Sequence, residues 1–437
     1  MSKDVIIIGA GIGGLSTAAL LGKKGYNVTV LEKNKTIGGR AMQFEAKGFR
    51  FDMGPSWYLM PDAFERYYKL FNKKPSDFFK LISLSPQYRI FFSKNEHVDI
   101  SRDLKENLAL FETYEKGAAE NIAEYVKKSE YVYKSAMRYF IYKNYRSIFD
   151  FFNKKLMFEG AQLKLHKNLD SYISQYTKND RIKKILEYST VFLGISPKKA
   201  PALFTLLSYV DFKMGVFYPN GGVYKIIDSL EKLCKENGVR VITNQEVEKI
   251  IIKNGKAEVI KTQNKTYNCD LVISNADYPF TETRLLEKQY RTYDEEYWKK
   301  KTIAPSAFIL YLGIKGKVKN LKHHNLFFEH DWQNHFDEIF DDPKWPDKPS
   351  FYVSCPSKTD RTVAPSGCEN LFVLVPVAPG LNDTDKIRKE YRDKIITELE
   401  EITGDIISDR IVFERIFAQR DYKELYNAYK GTALGLA

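Results

Sequence analysis

The sequence has few cysteines, no metal-binding motif and no hydrolase motif. Its four cysteines are widely separated and form no CxxC pair, which argues against zinc-ribbon and disulfide frameworks and favours a reduced, cytoplasmic protein. His323, His324, His330 and His335 lie in a predicted loop but match no zinc spacing, so we predict no metal site. No G-x-S-x-G occurs and no serine, histidine and aspartate triad can be selected. The cysteines are Cys234, Cys269, Cys355 and Cys368.

The chain also lacks a concentrated basic motif, although its net charge is +12. The charges are scattered and match no zinc-finger, homeodomain or RNP pattern, so we expect no nucleic-acid partner. The remaining anionic partner is a membrane leaflet that contains acidic lipid. Residues 5–22 carry no charge and are about long enough to cross a bilayer, but four glycines within six residues make a poor membrane span.

Those glycines fit a nucleotide-binding turn. A buried parallel strand is predicted at Val5–Ile8, and it runs into Gly9-x-Gly11-x-Gly13-Gly14, where a helix begins. Gly9 permits a sharp turn, Gly11 leaves room for a pyrophosphate beside the backbone, and Gly14 allows the helix to pack closely on the strand. The helix N-terminus would then face the phosphates.

A second strand and an acidic residue complete this unit. The strand Val28–Leu31 ends at Glu32, about twenty residues past the glycines, where a carboxylate can accept the hydrogen bonds of a ribose. A second glycine turn, Gly38-Gly39, then places Arg40 where it can clamp the pyrophosphate. The pattern predicts an adenine dinucleotide site.

A resemblance to known proteins narrows the choice of dinucleotide. The run from Gly9 to Arg40 resembles the two-glycine-motif flavoproteins, which include amine oxidases, carotenoid desaturases and Rab GDP-dissociation inhibitors. The stretch from Phe51 to Tyr68 looks like that of the bacterial-type phytoene desaturases. The resemblance implies FAD, which spacing alone does not distinguish from NAD.

The expected fold class is α/β, with a discontinuous Rossmann-like FAD-binding domain and an inserted α+β substrate domain of antiparallel sheet and helices. A chain of 437 residues is too long for one core, and 14% of its residues are aromatic. The FAD-binding domain is predicted at 1–80 and 218–303, a helical membrane- or substrate-binding segment at 81–217, the sheet of the substrate domain at 304–430, and the start of a further FAD segment at 431–437. On the resemblance, the last segment implies a C-terminal truncation.

Further strands are predicted from alternating and apolar runs. In the second FAD segment they lie at 239–242, 246–252, 257–262 and 271–273, and the resemblance implies that the backbone of Val247 lies beside adenine. In the substrate domain they lie at 308–312, 351–354 and 371–377, followed by a helix at 385–402.

The segment from Lys127 to Phe158 interleaves basic and aromatic residues on a predicted helix. Such a segment suits the surface of a membrane, where rings lie at headgroup depth and Lys or Arg meets phosphate. It suits a solvated helix with snorkelling basic residues equally well. The resemblance favours the membrane because the implied substrate dissolves only in lipid, and it implies peripheral attachment to the inner face.

The resemblance implies a desaturase that converts 15-cis-phytoene stepwise towards lycopene by hydride transfer to flavin, which quinone or oxygen then reoxidises. Positioning and exclusion of water supply most of the acceleration in such a reaction, and the site needs at most one weak base. No residue of the sequence can therefore be selected as the catalytic base. The alternatives are a desaturase or reductase of another carotenoid or polyene, and a non-catalytic, GDI-like chaperone that binds prenyl groups.

Overall fold

The computed structural model describes residues 2–144, 146–147, 167–328 and 332–436. The strands of this part of the chain, labelled β1 to β18 in order, are Asp4–Ile8, Asn27–Leu31, Gln43–Ala46, Phe49–Asp52, Leu81–Ser83, Tyr88–Ser93, Glu96–Ile100, Phe217–Pro219, Arg240–Ile242, Val247–Lys253, Lys256–Thr262, Thr266–Asn268, Leu271–Ser274, Ser306–Lys315, His324–Phe327, Phe351–Ser354, Cys368–Val377 and Ile411–Phe417. The α-helices are Ile12–Lys23, Pro61–Lys69, Leu104–Tyr114, Ala118–Ala136, Leu169–Ile173, Asp180–Glu187, Leu206–Tyr209, Lys225–Glu236, Tyr278–Phe280, Glu295–Lys300, Trp332–Phe340, Asp385–Thr403 and Gln419–Tyr426.

A parallel four-stranded sheet has the order β13-β1-β2-β9. Its central strand β1 is apolar and almost fully buried from Val5 onward because neighbours cover it on both sides and on both faces. The helices Ile12–Lys23 and Lys225–Glu236 share one apolar cluster with this sheet. Strands from the first 31 residues meet strands from residues 240–274 here, which confirms the discontinuous Rossmann-like architecture. An antiparallel sheet, β10-β11-β12, follows β9 in the chain.

A seven-stranded sheet has the order β18-β14-β17-β16-β15-β6-β7. Its neighbours pair antiparallel except for β15 and β6, which are parallel. The predicted strands at 308–312, 351–354 and 371–377 correspond to β14, β16 and β17, and the predicted helix at 385–402 corresponds to Asp385–Thr403. That helix packs on one face of the sheet, where Ile395 and Leu399 join the cluster of Phe308 and Leu310.

The expected helical character of residues 81–217 is wrong for β5, β6 and β7. Strand β6 is a continuous apolar and aromatic run that is buried along most of its length. It pairs with β15, whose residues lie more than two hundred positions later, so the partner that makes it a strand is absent from its local sequence. The helices Leu104–Tyr114 and Ala118–Ala136 do follow, and they bury Phe111 and Tyr125 in one cluster with Tyr88 of β6. The domain boundaries themselves stay predictions.

Residues 5–22 form β1, the glycine turn and most of the first helix. Among the described residues we find no helix that combines the length and the apolarity needed to cross a membrane. The four cysteines are free thiols.

Candidate functional site

The first glycine turn lies at the carboxyl end of β1. Gly9 has φ +96°, a conformation that L side chains rarely adopt. A Cβ on Gly14 would lie 2.0 Å from the carbonyl oxygen of Gly9, so only glycine allows the helix to start this close to the strand. Gly11 is extended, and a Cβ there would meet only the Asn275 side chain at 3.4 Å and the Gly39 Cα at 3.9 Å. The surface beside Gly11 is therefore left for a ligand.

The second glycine turn packs directly against the first. Gly38 and Gly39 have φ +118° and +56°, and the Gly38 N–H donates to the Ala10 carbonyl at 2.8 Å. A Cβ on Gly39 would lie 3.1 Å from the Gly11 Cα, and one on Gly13 would lie 2.6 Å from the Asn275 Oδ1. The predicted glycines thus form one continuous backbone cradle.

Glu32 ends this cradle at the carboxyl end of β2. Its buried carboxylate accepts the Ala10 N–H on Oε2 at 2.8 Å and the Asn34 N–H on Oε1 at 2.9 Å. Glu32 therefore holds the glycine turn in place. Its Oε1 atom also accepts a hydrogen bond from the Asn34 Nδ2 at 2.9 Å, so Oε2 is the oxygen that keeps lone-pair capacity for a ribose hydroxyl. Its backbone joins the Val247 region, because the Gln245 N–H donates to the Glu32 carbonyl at 2.8 Å. Val247 is buried at the start of β10.

Arg40 supplies the charge of the cradle. Its Nε and Nη2 atoms are buried and have no hydrogen-bond partner, and the Nη2 atom lies 3.9 Å from the Asp277 Oδ2. Burial raises the pKa of the Asp277 carboxyl. The 3.9 Å contact with Asp277 is too long for a hydrogen bond, so it leaves the guanidinium donors unused. Unsatisfied guanidinium N–H groups beside a helix N-terminus fit the phosphate oxygens of a dinucleotide.

A short segment leads from the cradle into the protein interior. A Cβ on Gly54 would lie 2.1 Å from the Arg40 carbonyl oxygen, so the two backbones are in contact. Two residues later the Ser56 Oγ is 2.8 Å from the Tyr352 hydroxyl, and the Trp57 ring stacks on His324 at 4.1 Å. Around Trp57 lies a set of rings that we call the aromatic cluster, namely Trp57, Tyr88, Tyr188, His324 and Tyr352.

The histidines that the sequence placed in a loop are buried in the fold. His324 belongs to β15 and His335 to the helix Trp332–Phe340, so that expectation is wrong for both. The His324 Nδ1 lies 2.6 Å from the Tyr352 hydroxyl. Burial lowers the pKa of His323 to about 3 and that of His335 to about 4, and it lowers the pKa of His324 as well. These imidazoles are neutral at physiological pH. His330 lies outside the described residues.

Comparison with known proteins identifies the family. The family model of flavin-containing amine oxidoreductases matches residues 12–429 of the chain. The chain belongs to this family. FAD as cofactor and oxidoreductase activity on CH–CH groups, both implied by the resemblance, are confirmed.

Individual relatives agree with this assignment. The chain is 47% identical to a carotenoid 3,4-desaturase of Haloarcula japonica over 436 residues, which cover all of this chain and 88% of the relative. It is 30% identical to a zeta-carotene-forming phytoene desaturase of Myxococcus xanthus over 439 residues, which cover all of this chain and 84% of the relative. The crystal structure of an oxidoreductase from Methanosarcina mazei is similar in fold, with a TM-score of 0.63 at 21% identity over 95% of this chain and 88% of that one.

Sequence reasoning missed two parts of the cradle. The helix Gln419–Tyr426 reaches it from the far end of the chain, since the Lys33 Nζ donates to the Glu424 carbonyl at 2.6 Å and the Asn34 Nδ2 to the Leu425 carbonyl at 3.0 Å. No pattern in the local sequence predicts that contact. Asn275 covers the glycine turn, and here a signal existed, because polar residues directly after a buried parallel strand lie at the edge where ligands bind.

Proposed function

We propose that the chain is an FAD-dependent carotenoid desaturase. The similarity to carotenoid desaturases over the whole chain supports this substrate class. The cradle supports the cofactor, since it offers a helix N-terminus, an unsatisfied guanidinium and a carboxylate in the order that phosphates and ribose require. The residues proposed to hold FAD are Gly9, Gly11, Gly13, Gly14, Glu32, Gly38, Gly39, Arg40 and Val247.

The observation that carries the proposal is the short path from the cradle to the aromatic cluster. Gly54 contacts Arg40, and Trp57 is the hub of the cluster only three residues later. A hydrocarbon chain that lies against these rings would therefore also lie close to the cofactor. FAD supplies a hydride acceptor when it is bound. The protein orients the chain, excludes water and offers ring faces to the positive charge that hydride loss leaves on a polyene.

Two forms of this reaction are distinguished by substrate. The first is the stepwise conversion of 15-cis-phytoene towards lycopene, and the second is 3,4-desaturation of a carotenoid that is already conjugated. The chain is 47% identical to a 3,4-desaturase and 30% identical to a phytoene desaturase. The higher identity favours the second form of the reaction. Quinone or oxygen is the proposed final electron acceptor in both.

The two forms are separated by expressing the protein in cells that accumulate phytoene and in cells that accumulate lycopene. We expect new pigment in the lycopene cells, with two hydrogens lost per double bond and absorption at longer wavelength, measured by chromatography and mass spectrometry. If phytoene is converted to coloured carotenes in the first cells instead, the protein catalyses the stepwise reaction. If purified protein carries FAD and neither pool changes, carotenoid desaturation is contradicted. Protein without FAD would favour the prenyl-binding alternative.

We also propose that the protein binds the inner face of the membrane through the segment that begins at Lys127. In the described part, the helix Ala118–Ala136 and the π-helix Met137–Ile141 present a mixed basic and apolar face. Exposed side chains recur there at helical spacing, whereas Tyr125 and Tyr133 are buried in the protein. The exposed side chains are those of Lys127, Lys128, Tyr131, Lys134, Arg138, Ile141 and Tyr142. Residues 145 and 148–158 of the predicted segment lie outside the described residues.

Replacing Lys127 and Arg138 together by Ala is expected to weaken binding to anionic vesicles by about 2 kcal/mol, because each basic side chain near such a surface contributes about 1 kcal/mol. Flotation with phosphatidylserine-containing vesicles measures this change. The matched control replaces Lys386 and Lys389, two exposed lysines of the helix Asp385–Thr403, by Ala. Equal losses from both pairs, or unchanged flotation of the first, would contradict attachment through this face.

A further inference from the structure

A buried carboxyl group lies behind the aromatic cluster. Asp211 belongs to a single turn of π-helix, Val210–Met214, and is 5% exposed. Its Oδ2 accepts a hydrogen bond from the Tyr88 hydroxyl at 2.6 Å. Its Oδ1 is buried and has no hydrogen-bond partner. The Tyr188 hydroxyl is a second hydrogen-bond donor to this carboxyl. The Oδ1 atom is the oxygen that no hydrogen bond occupies.

No cationic group compensates this carboxyl in the part of the chain that the structure describes. The titratable groups that face it are the phenols of Tyr88 on β6 and Tyr188 in the turn Tyr188–Leu193. Burial raises the pKa of both phenols far above the physiological range, so both are neutral. Burial likewise raises the pKa of Asp211 to about 7, which is the range in which a carboxylate works best as a base at neutral pH.

The position of Asp211 connects it to the cradle. The rings of Tyr88 and Tyr188 are 5.1 Å apart, and their centroids lie 5.5 and 6.2 Å from that of Trp57. Trp57 lies three residues from Gly54, which contacts Arg40. The carboxyl group thus borders the rings that we assign to the substrate.

We propose that Asp211 is the catalytic base of the desaturation, an inference that rests on the proposed function. Hydride leaves one carbon for FAD with both electrons of its C–H bond, and an allylic cation remains on the substrate. The Asp211 Oδ1 then takes a proton from the neighbouring carbon, and the electron pair of that C–H bond becomes the second bond of the new C=C. A buried carboxylate without a counter-ion is complementary to this delocalised cation, which appears only as the reaction proceeds.

Glu187 provides a matched comparison. It is also a buried carboxyl group, and burial raises its pKa to about 8. Asp170 and Lys183 lie beside it, and the Lys183 Nζ contacts the Asp170 Oδ1 at 2.6 Å, so Glu187 has a charged surrounding that Asp211 lacks. Glu187→Gln controls for the exchange of a buried carboxyl for an amide.

The test compares Asp211→Asn, Glu187→Gln and Tyr88→Phe with the wild-type holoenzyme. For Asp211→Asn we expect kcat to fall about a hundredfold or more, with KM and FAD absorbance close to wild type. Glu187→Gln is expected to keep its kcat. The hydrogen bond from Tyr88 holds the pKa of Asp211 down, so Tyr88→Phe is expected to move the acidic limb of the kcat profile to higher pH.

An infrared measurement without substrate tests the same group independently. The wild-type minus Asp211→Asn difference is expected to show a carboxylic acid carbonyl band that disappears as pH rises through about 7. The proposal is overturned if wild type desaturates and Asp211→Asn keeps kcat within about threefold, or if neither the kcat limb nor the infrared band reports Asp211. Loss of folding in Asp211→Asn leaves Tyr88→Phe as the deciding variant. A wild type that desaturates no carotenoid refutes the proposed function instead, whatever the infrared result.

Discussion

Arg40→Ala is expected to weaken FAD binding by about 2–3 kcal/mol, which is about 30- to 150-fold in Kd. The guanidinium Nε and Nη2 atoms are buried without a hydrogen-bond partner, so their donors are available to phosphate oxygens, and hydrogen bonds to charged groups are the strong ones. Titration of the apoprotein with FAD, followed by flavin fluorescence, measures the change.

The controls separate charge from shape. Arg40→Lys keeps the positive charge but loses the planar fork, so it is expected to recover only part of the affinity. Arg240→Ala removes an exposed arginine from β9 of the same sheet and is expected to leave Kd unchanged. Urea unfolding of apo Arg40→Ala is expected to show little loss in the free energy of unfolding. The ion pair that the substitution removes is 3.9 Å long and contains no hydrogen bond. Wild-type FAD affinity in Arg40→Ala would show that this side chain does not bind the pyrophosphate.

The cradle could be predicted because most of it is contiguous in the chain. Strand β1, the helix after it, β2 and Glu32 follow one another within the first 32 residues, and each has a local pattern of apolar residues or glycines. Strands β14, β16 and β17 were predicted for the same reason, since their apolar runs are long and buried along nearly their whole length. Local patterns were sufficient for elements whose own residues carry a clear apolar or glycine pattern.

The remaining features depend on contacts between distant residues. Strand β6 forms because β15 pairs with it, and the helix Gln419–Tyr426 meets the cradle through Lys33, 391 positions from Glu424. The Asp211 carboxyl lies 123 positions from the tyrosine that donates to it. An aspartate between Val210 and Phe212 has no pattern of its own, so its burial and its unsatisfied oxygen become visible only in the fold.

Two alanine substitutions in the first glycine turn are expected to affect different properties. Gly14→Ala is expected to lower the stability of the fold, and Gly11→Ala is expected to lower the affinity for FAD. In Gly14→Ala the new methyl group would lie 2.0 Å from the Gly9 carbonyl oxygen, which is backbone and cannot rotate away. The helix must shift from the strand, and we expect a loss of about 3 kcal/mol or more in the free energy of unfolding. In Gly11→Ala the methyl group meets no atom closer than 3.4 Å, and the extended backbone suits alanine.

Apo Gly11→Ala is therefore expected to be as stable as wild type, or slightly more stable because alanine restricts the unfolded chain. Its methyl group would occupy the surface where the pyrophosphate is proposed to lie, so we expect FAD affinity to fall about tenfold or more. Urea unfolding of the apoproteins and FAD titration of both variants give the two quantities. If Gly11→Ala binds FAD as wild type does, the pyrophosphate does not lie against Gly11. If Gly14→Ala unfolds at the wild-type urea concentration, the helix does not pack against the Gly9 carbonyl as the structure shows.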